Sequence, residues 1–420
     1  MKEQNGGHFS GYPMIEKWVT RMEEAWRDLI NRNPSKVHIF HHNDTDGLTS
    51  GAILTEAFER KGYTVNRYAL EKPYPAVLKM IFNQRGEIFI FADFAGWIAP
   101  LLSELNKGRN LVLILDHHTA LEATDPKVHN LDPDLFGLKG DLDISASVTC
   151  YAFAKVMDRK NIDLAYLAAL GAVGDEFFLD GKLVSENRHA VLEAVEQGRV
   201  RIEEKEHGED YLFKTADGEV SGASLSEYLE TLGAVGYYGK GPDLAIEVCL
   251  KGFSEKSHQA YKTFLALKEE KFRHEIERLK SGQINQATHI QWFHVENRLS
   301  PMGVKMIGAL CDALKNMDFI RPEKYLAGFQ VIPNEIPGFG KVELNEVKIS
   351  MRVSRHLEER IRAKKALGLN QFLPEATDRL HGFSDACHSL TAATTVAIGK
   401  EEKLIKEMDH ILKSSDHMAH

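Results

Sequence analysis

The sequence predicts an α/β fold in which a parallel sheet carries polar side chains at its carboxyl edge. Five apolar residues, 111–115, are typical of a strand buried on both faces, and Asp116, His117 and His118 follow directly. Two earlier apolar runs end in the same way, at His42 and at Asp93. The helical patterns between these runs predict right-handed crossovers, which bring the carboxyl ends of the strands to one edge.

The first elements are an amphipathic helix over residues 14–32 and a strand over 37–42. A helix over 48–60 follows, with Gly62 as its C-cap. His42, Asp44 and Asp46 are spaced by two, which places them on one side of an extended backbone. Such a group indicates a cation site. The alternative is a helix N-cap in a solvated turn.

The next elements continue the alternation of strand and helix. Strands are predicted over 87–93 and 111–115, with a helix near 98–107 between them. Helices over 144–157 and 162–173 follow, and Asp175 comes directly after the second. An anion is unfavourable at a helix C-terminus unless something positive is near, although Asp175 is also explained as an ordinary turn residue.

Residues 185–285 are predicted to be a helical connection, with a hairpin over 210–221 and a long amphipathic helix over 260–279. A second α/β unit begins near residue 288. Its predicted elements are strands over 289–294 and 326–332, a helix over 304–314, a half-buried strand over 346–353 and a final helix over 401–413. Residues 341–365 contain eight Lys or Arg against four Glu and form the most basic stretch.

Composition limits the classes of function. The 420 residues are enough for two or three domains, and the net charge of −9 means that any polyanion site must be a local patch. The four cysteines form no CxxC pair, which favours a reducing compartment and argues against structural zinc. The first residues contain no apolar signal segment, and no apolar run is long enough to span a membrane. We therefore expect a cytoplasmic protein with no membrane partner.

The polar residues together form a pattern that resembles the DHH phosphoesterase superfamily. The matching residues are His42-x-Asp44-x-Asp46-Gly47-x-x-Ser50, Asp93, Asp116-His117-His118 and Asp175. The spacing of the first motif and the chain length are most similar to the RecJ-like branch. This resemblance implies a DHH catalytic domain over 1–200 that includes the N-terminal helix, a helical linker over 201–285 and a smaller DHH-associated α/β domain over 286–420. The active site is expected in the cleft between the two domains.

The resemblance also implies a site for two metal ions, usually manganese. Asp93 would bridge the ions, His42 and Asp44 would bind one, and Asp46, His117 and Asp175 would bind the other. Carboxylates with a few imidazoles suit Mn²⁺ better than zinc, and Mg²⁺ is a possible substitute. Two cations about 3.5–4 Å apart can lower the pKa of a bridging water and neutralise a reacting phosphoryl group.

The remaining residues of the pattern are expected to orient groups or to bind substrate. Asp116 would orient His117, and His118 would hold the scissile phosphate or protonate the leaving oxygen. Ser50, Arg352, Lys348 and His388 are the expected substrate-binding residues. Arg352 matches the family's phosphate-binding arginine, and the alternative is a surface arginine paired with Glu346 or Glu358. His388 lies in a motif whose preceding glycine run is replaced by Asp385-Ala386-Cys387, which weakens the expectation for recognition of the substrate end.

Three functions follow from this pattern. The leading expectation is a manganese-dependent phosphodiesterase, an exonuclease that removes nucleotides from an end of single-stranded DNA or RNA. The second is a hydrolase of short oligonucleotides, bisphosphorylated nucleosides, cyclic dinucleotides or polyphosphate, which the acidic pI of about 6.1 and the altered glycine motif favour. The third is a non-catalytic replication scaffold, which the presence of every expected ligand disfavours. The pattern does not determine the oligomeric state.

Overall fold

The computed structural model describes residues 13–416, which divide into two compact units. The first contains the residues up to 233 together with 240–261, and the second contains 234–239 and the residues from 262 onward. Residues 201–285, predicted as a separate linker, are thus shared between the units. Within the described residues, no helix has both the length and the apolar composition needed to cross a bilayer.

The first unit is built on a five-stranded sheet in which every neighbouring pair is parallel, with strand order β2-β1-β3-β4-β5. Its strands are β1 (Lys36–His41), β2 (Thr64–Ala69), β3 (Ile88–Ala92), β4 (Leu111–Leu115) and β5 (Val128–Asn130). Its helices are α1 (Pro13–Asn31), α2 (Thr45–Arg60), α3 (Pro75–Phe82), α4 (Ala99–Asn106), α5 (Ala146–Met157), α6 (Ala165–Gly174), α7 (Ser185–Glu196), α8 (Gly222–Glu230) and α9 (Gly241–Lys251). The predicted α/β class with a parallel N-terminal sheet is confirmed.

The central strands form as their composition predicts. Every residue of β3 and β4 is buried, because helices cover both faces of the sheet. Strands β2 and β5 were not predicted; β2 is only partly buried and β5 has three residues. Helix α2 begins at Thr45, three residues earlier than expected, because Asp44 caps it by accepting a hydrogen bond from the Gly47 amide.

A small antiparallel sheet follows α7 within the predicted helical connection and adds one strand, β6, to the expected hairpin. Its strands are β6 (Val200–Lys205), β7 (Gly208–Thr215) and β8 (Gly218–Ser221). The predicted hairpin is confirmed, since β7 and β8 pair around the turn before Gly218. The exposed charged side chains of this sheet also pair with one another, as Arg201 on β6 does with Glu219 on β8 at 2.7 Å.

The second unit contains a six-stranded mixed sheet with strand order β15-β16-β14-β11-β10-β9. Its strands are β9 (Asn285–Gln286), β10 (Ile290–His294), β11 (Tyr325–Val331), β14 (Glu346–Arg352), β15 (Phe383–Cys387) and β16 (Thr391–Ala397), and a separate pair is formed by β12 (Glu335–Ile336) and β13 (Gly340–Lys341). Helix α10 (Glu255–Lys280) contains the division between the units, and α11 (Met306–Leu314), α12 (Arg355–Arg362), α13 (Leu373–Asp378) and α14 (Glu401–Asp416) follow.

Strand β14 is central in this sheet, and this position changes the predicted burial of its residues. Val347, Ile349 and Met351 lie in the hydrophobic core, as their alternation predicts. Lys348 and Ser350 were expected on a solvent-facing side, but they are only 5% and 2% exposed. The strand pairs on both edges, with β11 and β16, and helix α11 packs against it, so it is not the half-buried strand that was predicted.

Candidate metal centre

The residues predicted from the first unit meet at the carboxyl edge of the parallel sheet. His42 follows β1, Asp93 follows β3, and Asp116, His117 and His118 follow β4. Asp44 and Asp46 lie at the start of α2, and Asp175 caps the end of α6. Their side chains form overlapping groups of possible metal ligands whose donor atoms lie within 4.8 Å of one another.

The first donor group contains His42, Asp44 and Asp93. His42 Nδ1 lies 2.5 Å from Asp44 Oδ2 and 3.5 Å from Asp93 Oδ2. The other ring nitrogen, Nε2, donates to the Glu71 carbonyl oxygen at 3.2 Å. This contact favours the tautomer whose Nδ1 lone pair faces the two carboxylates, as a metal ligand requires. Asp44 is both the N-cap and a member of this group, so the two interpretations of the motif are compatible.

The second donor group contains Asp46, His117 and Asp175. His117 Nε2 lies 4.0 Å from Asp46 Oδ2 and 3.5 Å from Asp175 Oδ2. His117 Nδ1 donates to the Gly140 carbonyl oxygen at 2.7 Å, which leaves Nε2 to face the carboxylates. The pKa of the His117 imidazole is raised well above its usual value, because the surrounding carboxylates, Asp175 first, outweigh the opposing effect of burial.

Asp46 is fixed by the start of helix α5. Its Oδ2 accepts from the Ala146 amide at 2.7 Å, and its Oδ1 accepts from the Ser147 amide at 3.0 Å. These amides belong to the first turn of the helix, where backbone N–H groups are unpaired and the helix dipole favours an anion. The helix therefore holds a buried carboxylate in one orientation beside His117.

Asp93 belongs to the first donor group and also lies beside His117 of the second. Its Oδ2 is 3.5 Å from His42 Nδ1 and its Oδ1 is 3.5 Å from His117 Nε2. The backbone at Asp93 has φ of 66°, a left-handed conformation that Asp and Asn adopt more readily than most residues. Burial, with the nearby charge of Asp44, raises the pKa of the Asp93 carboxyl to about 6. Each oxygen of this carboxylate thus faces a different imidazole.

The donor set fits a pair of divalent cations. Within the described part of the chain, the buried Oδ2 atom of Asp175 has no hydrogen-bond partner. Burial and the charge of Asp46 raise the pKa of the Asp175 carboxyl well above its usual range. Four carboxylates and two imidazoles converge here, and like charges at this spacing are unfavourable without a counter-charge. Oxygen donors with two imidazoles suit Mn²⁺ or Mg²⁺ sites.

Asp116 contacts the two histidines that follow it. Its Oδ1 accepts from the His117 amide at 2.8 Å and from His118 Nδ1 at 2.7 Å, and its Oδ2 accepts from the Gly96 amide at 2.8 Å. Burial alone would raise the pKa of the Asp116 carboxyl, but the neighbouring His118 lowers it. Asp116 therefore orients the His118 ring directly, whereas its contact with His117 is to the backbone.

Several glycines that support the site carry no chemical signal of their own and were not predicted. A Cβ atom on Gly140 would lie 1.4 Å from the His117 carbonyl oxygen. A Cβ on Gly171 would lie 2.1 Å from Ser147 Oγ and 2.4 Å from Asp46 Oδ1. The only sequence signal at Gly171 is its place in a run of small residues within a predicted helix.

The predicted substrate-binding residues belong to different units, Ser50 to the first and Arg352, Lys348 and His388 to the second. Ser50 is 0% exposed inside α2, and its assignment to substrate contact stays a prediction. Arg352 Nε donates to Asp312 Oδ2 at 2.7 Å, so its partner is on α11 and is neither Glu346 nor Glu358. A second predicted residue of this unit, Lys348, is buried.

His388 lies in the turn between β15 and β16 and is partly exposed. Its backbone amide donates to the Thr391 carbonyl oxygen at 2.9 Å, which closes the turn. Nothing in this geometry tests a substrate contact, so the assignment of His388 stays a prediction. The side chains of Asp385 and Ala386, which replace the expected glycines, lie outside the described residues.

Part of the chain matches a known protein family. Residues 36–172 match the family model for the DHH family, N-terminal domain. An uncharacterized protein of Methanocaldococcus jannaschii is 28% identical over 197 residues, which cover 45% of this chain and 44% of that protein. The chain therefore matches less than half the length of this curated relative.

Solved structures with low sequence identity share the fold. The DHH domain of a member of the s1p family of ribosomal proteins has a TM-score of 0.64 at 14% identity, covering 98% of this chain and 94% of that chain. RecJ from Thermus thermophilus in complex with Mn²⁺ has a TM-score of 0.58 at 13% identity, covering 98% and 56%. Exonuclease RecJ bound to manganese has a TM-score of 0.53 at 16% identity, covering 93% and 94%. Residues 36–172 therefore match the DHH family, N-terminal domain, and the chain shares the fold of the RecJ structures.

Proposed function

We propose that the protein is a manganese-dependent phosphodiesterase that removes nucleotides from an end of single-stranded DNA or RNA. The observation that carries this proposal is the position of Asp93, whose two oxygens face His42 and His117 from the centre of the donor set. A carboxylate that faces both donor groups could hold two cations close together, as two-metal phosphoester hydrolysis needs. The structures of RecJ with Mn²⁺ support the choice of ion.

Each residue has a defined task in this proposal. His42 and Asp44 would hold one cation, Asp46, His117 and Asp175 would hold the other, and Asp93 would be shared. When bound, the cations would neutralise the phosphodiester and lower the pKa of an attacking water. Asp116 accepts the Nδ1 proton of His118 and so directs Nε2 to hold the scissile phosphate or to protonate the leaving oxygen.

A second candidate is hydrolysis of a small substrate, such as a short oligonucleotide, a bisphosphorylated nucleoside, a cyclic dinucleotide or polyphosphate. The contacts of the second unit favour it. Arg352 is bound to Asp312, and Lys348 is buried, so neither side chain offers a fully exposed cation to a long polyanion. The binding of polymeric nucleic acid depends strongly on such phosphate contacts.

The test is a panel of substrates assayed with Mn²⁺. Initial rates are measured on an end-labelled single strand of about 20 nucleotides, a dinucleotide, a cyclic dinucleotide and polyphosphate. The exonuclease proposal predicts the highest kcat/KM on the single strand, with nucleotides released from one end. A dinucleotide preference of about tenfold or more would favour the small-substrate candidate. The Asp93→Asn protein is the control, and hydrolysis that persists in it would come from a contaminant or from another site.

A further inference from the structure

A cavity of the first unit has a volume of about 480 Å³, and none of its lining residues belongs to the donor set. This volume is within the range of small-molecule binding sites, roughly 300–1,000 Å³. Helices α6, α8 and α9 supply most of its floor, which is aliphatic and buried. The floor residues are Leu167, Leu170, Leu225, Leu229 and Val248. An aliphatic floor offers no hydrogen bonds and therefore selects an apolar body.

The rim of the cavity is positively charged. Arg199, Lys214 and Lys251 line it and are exposed, and no acidic side chain of the described chain is among its lining residues. The Arg199 guanidinium lies 3.9 Å from the centroid of the Tyr166 ring, which holds it at the opening. This set of charges is complementary to an anion.

The acidic residues near the rim are already engaged elsewhere. Glu219 is the cross-strand neighbour of Lys214, but it is bound to Arg201 at 2.7 Å. Asp163 adjoins Tyr166 and is bound to Arg60 at 2.6 Å. These two carboxylates are thus paired with arginines that do not belong to the rim.

Two helices of the cavity also support the donor set. On α8, Leu225 and Leu229 line the cavity, while the adjacent Ser226 and Glu230 contact Thr45, which lies between Asp44 and Asp46. The Ser226 carbonyl oxygen accepts from Thr45 Oγ1 at 3.1 Å, and Glu230 Oε1 accepts from the Thr45 amide at 3.0 Å.

Helix α6 makes the second connection. It lines the cavity near its start and ends at Gly174, directly before Asp175. A Cβ on Gly174 would lie 2.6 Å from Thr45 Cβ, so the end of this helix packs tightly against the start of α2. Because packed interiors transmit small displacements, a ligand that moves α6 or α8 changes the positions of candidate metal ligands.

We propose that this cavity binds an aliphatic organic anion, such as a fatty carboxylate or an alkyl phosphate, and that its occupancy changes metal affinity at the donor set. The apolar body would lie against the leucines of α6 and α8, and the head group would face Arg199 and Lys214. The binding site is independent of the proposed function, whereas its regulatory effect rests on the proposed metal site.

The first experiment measures binding of decanoate to the full chain by isothermal titration calorimetry. We expect one saturable site for decanoate in the unmodified chain. The Arg199→Ala/Lys214→Ala protein should bind decanoate about five- to thirtyfold more weakly, and the unmodified chain should bind uncharged decanol more weakly by a similar factor. Butyrate has the same head group, and its affinity should fall by up to about fourfold for each methylene that no longer contacts the cavity.

The matched control removes two exposed cations from α1 in the Lys17→Ala/Arg27→Ala protein, which should bind decanoate as the unmodified chain does. Three results would overturn the proposed site. The first is equal affinity for decanoate in the unmodified chain and in the Arg199→Ala/Lys214→Ala protein, and the second is equal affinity of the unmodified chain for decanol and decanoate. The third is the absence of saturable decanoate binding. Thermal unfolding of each variant verifies that the surface substitutions leave the fold intact.

The second experiment measures Mn²⁺ affinity with and without saturating decanoate. If the two sites are coupled, decanoate should change the Mn²⁺ affinity of the unmodified chain about fivefold and leave that of the Arg199→Ala/Lys214→Ala protein unchanged. If decanoate leaves the Mn²⁺ affinity of the unmodified chain unchanged, the proposed effect of the cavity on metal binding is overturned. Because neither experiment uses hydrolysis, a chain that binds decanoate and Mn²⁺ but cleaves no phosphodiester would refute the proposed function alone.

Discussion

The substitution Asp93→Asn separates the roles of Asp93 in catalysis and in stability. Asparagine retains the size of the side chain and tolerates the φ of 66° at this position, whereas alanine there would add backbone strain of about 1 kcal/mol. We expect the variant to lose hydrolysis, because an amide cannot replace a carboxylate shared between two cations. We also expect the metal-free variant to be more stable than the unmodified protein at neutral pH.

The expected gain in stability follows from the pKa of Asp93. Burial raises this pKa from its ordinary 3.8 to about 6. Ionisation of the carboxyl in the folded, metal-free protein therefore lowers the free energy of unfolding by about 3 kcal/mol. The folded state binds the proton more tightly than the unfolded state, so the loss is fully present above about pH 6 and disappears as the pH falls toward 4. The gain in the Asp93→Asn protein should therefore reach at most about 3 kcal/mol at pH 7–8 and shrink on acidification.

Urea unfolding in the presence of a chelator measures this difference between pH 4 and pH 8. Added Mn²⁺ should then stabilise the unmodified protein by RT ln(1 + [Mn²⁺]/Kd) and the variant much less. If the metal-free unmodified and Asp93→Asn proteins are equally stable across the pH range, burial of the Asp93 carboxylate does not destabilise the folded state. Equal stabilisation of both proteins by Mn²⁺ would show that Asp93 does not bind the metal.

Three further predictions concern the metal, its support and the second unit. Hydrolysis should be at least about tenfold faster with Mn²⁺ than with Ca²⁺, because the imidazoles of His42 and His117 favour a transition metal, and equal rates would count against the ligand assignment. Gly140→Ala should weaken Mn²⁺ binding and destabilise the protein by about 1–3 kcal/mol in urea unfolding, because its Cβ would overlap the His117 carbonyl oxygen. Arg352→Ala should lower stability by about 1–2 kcal/mol through loss of the partly screened pair with Asp312, and should reduce kcat/KM about tenfold if Arg352 also binds phosphate. Asp312→Asn is the control, since it weakens the pair but retains the arginine, and an unchanged kcat/KM in Arg352→Ala would remove this residue from substrate binding.

The sequence predicts the parallel sheet and the convergence at its edge because both depend on local patterns. An apolar run such as 111–115 has few alternatives to a buried strand, and a residue that directly follows such a strand must lie at its carboxyl end. His42, Asp93 and His117 are therefore brought together by topology alone. The tautomers of the two histidines are not predictable, because they depend on carbonyl groups distant in the chain, such as that of Gly140.

The errors have a different physical origin. The pairing of Arg352 with Asp312 joins residues 40 positions apart, and no periodicity indicates it. The burial of Lys348 depends on the central place of β14 in its sheet, which is set by which strands pair on either side. The strand β6 was missed because its mostly charged sequence has little strand propensity of its own, and its pairing with β7 is a tertiary contact. Each of these features is determined by tertiary context and not by local sequence.

Electron paramagnetic resonance of the Mn²⁺-loaded protein tests the central claim most directly. If Asp93 is shared between two neighbouring ions, the unmodified protein should show a spin-coupled pair, with two equivalents of Mn²⁺ bound for each chain. The Asp93→Asn protein should show only the six-line signal of isolated ions at reduced occupancy. Isolated, uncoupled Mn²⁺ in the fully loaded unmodified protein would contradict a two-metal centre bridged by Asp93.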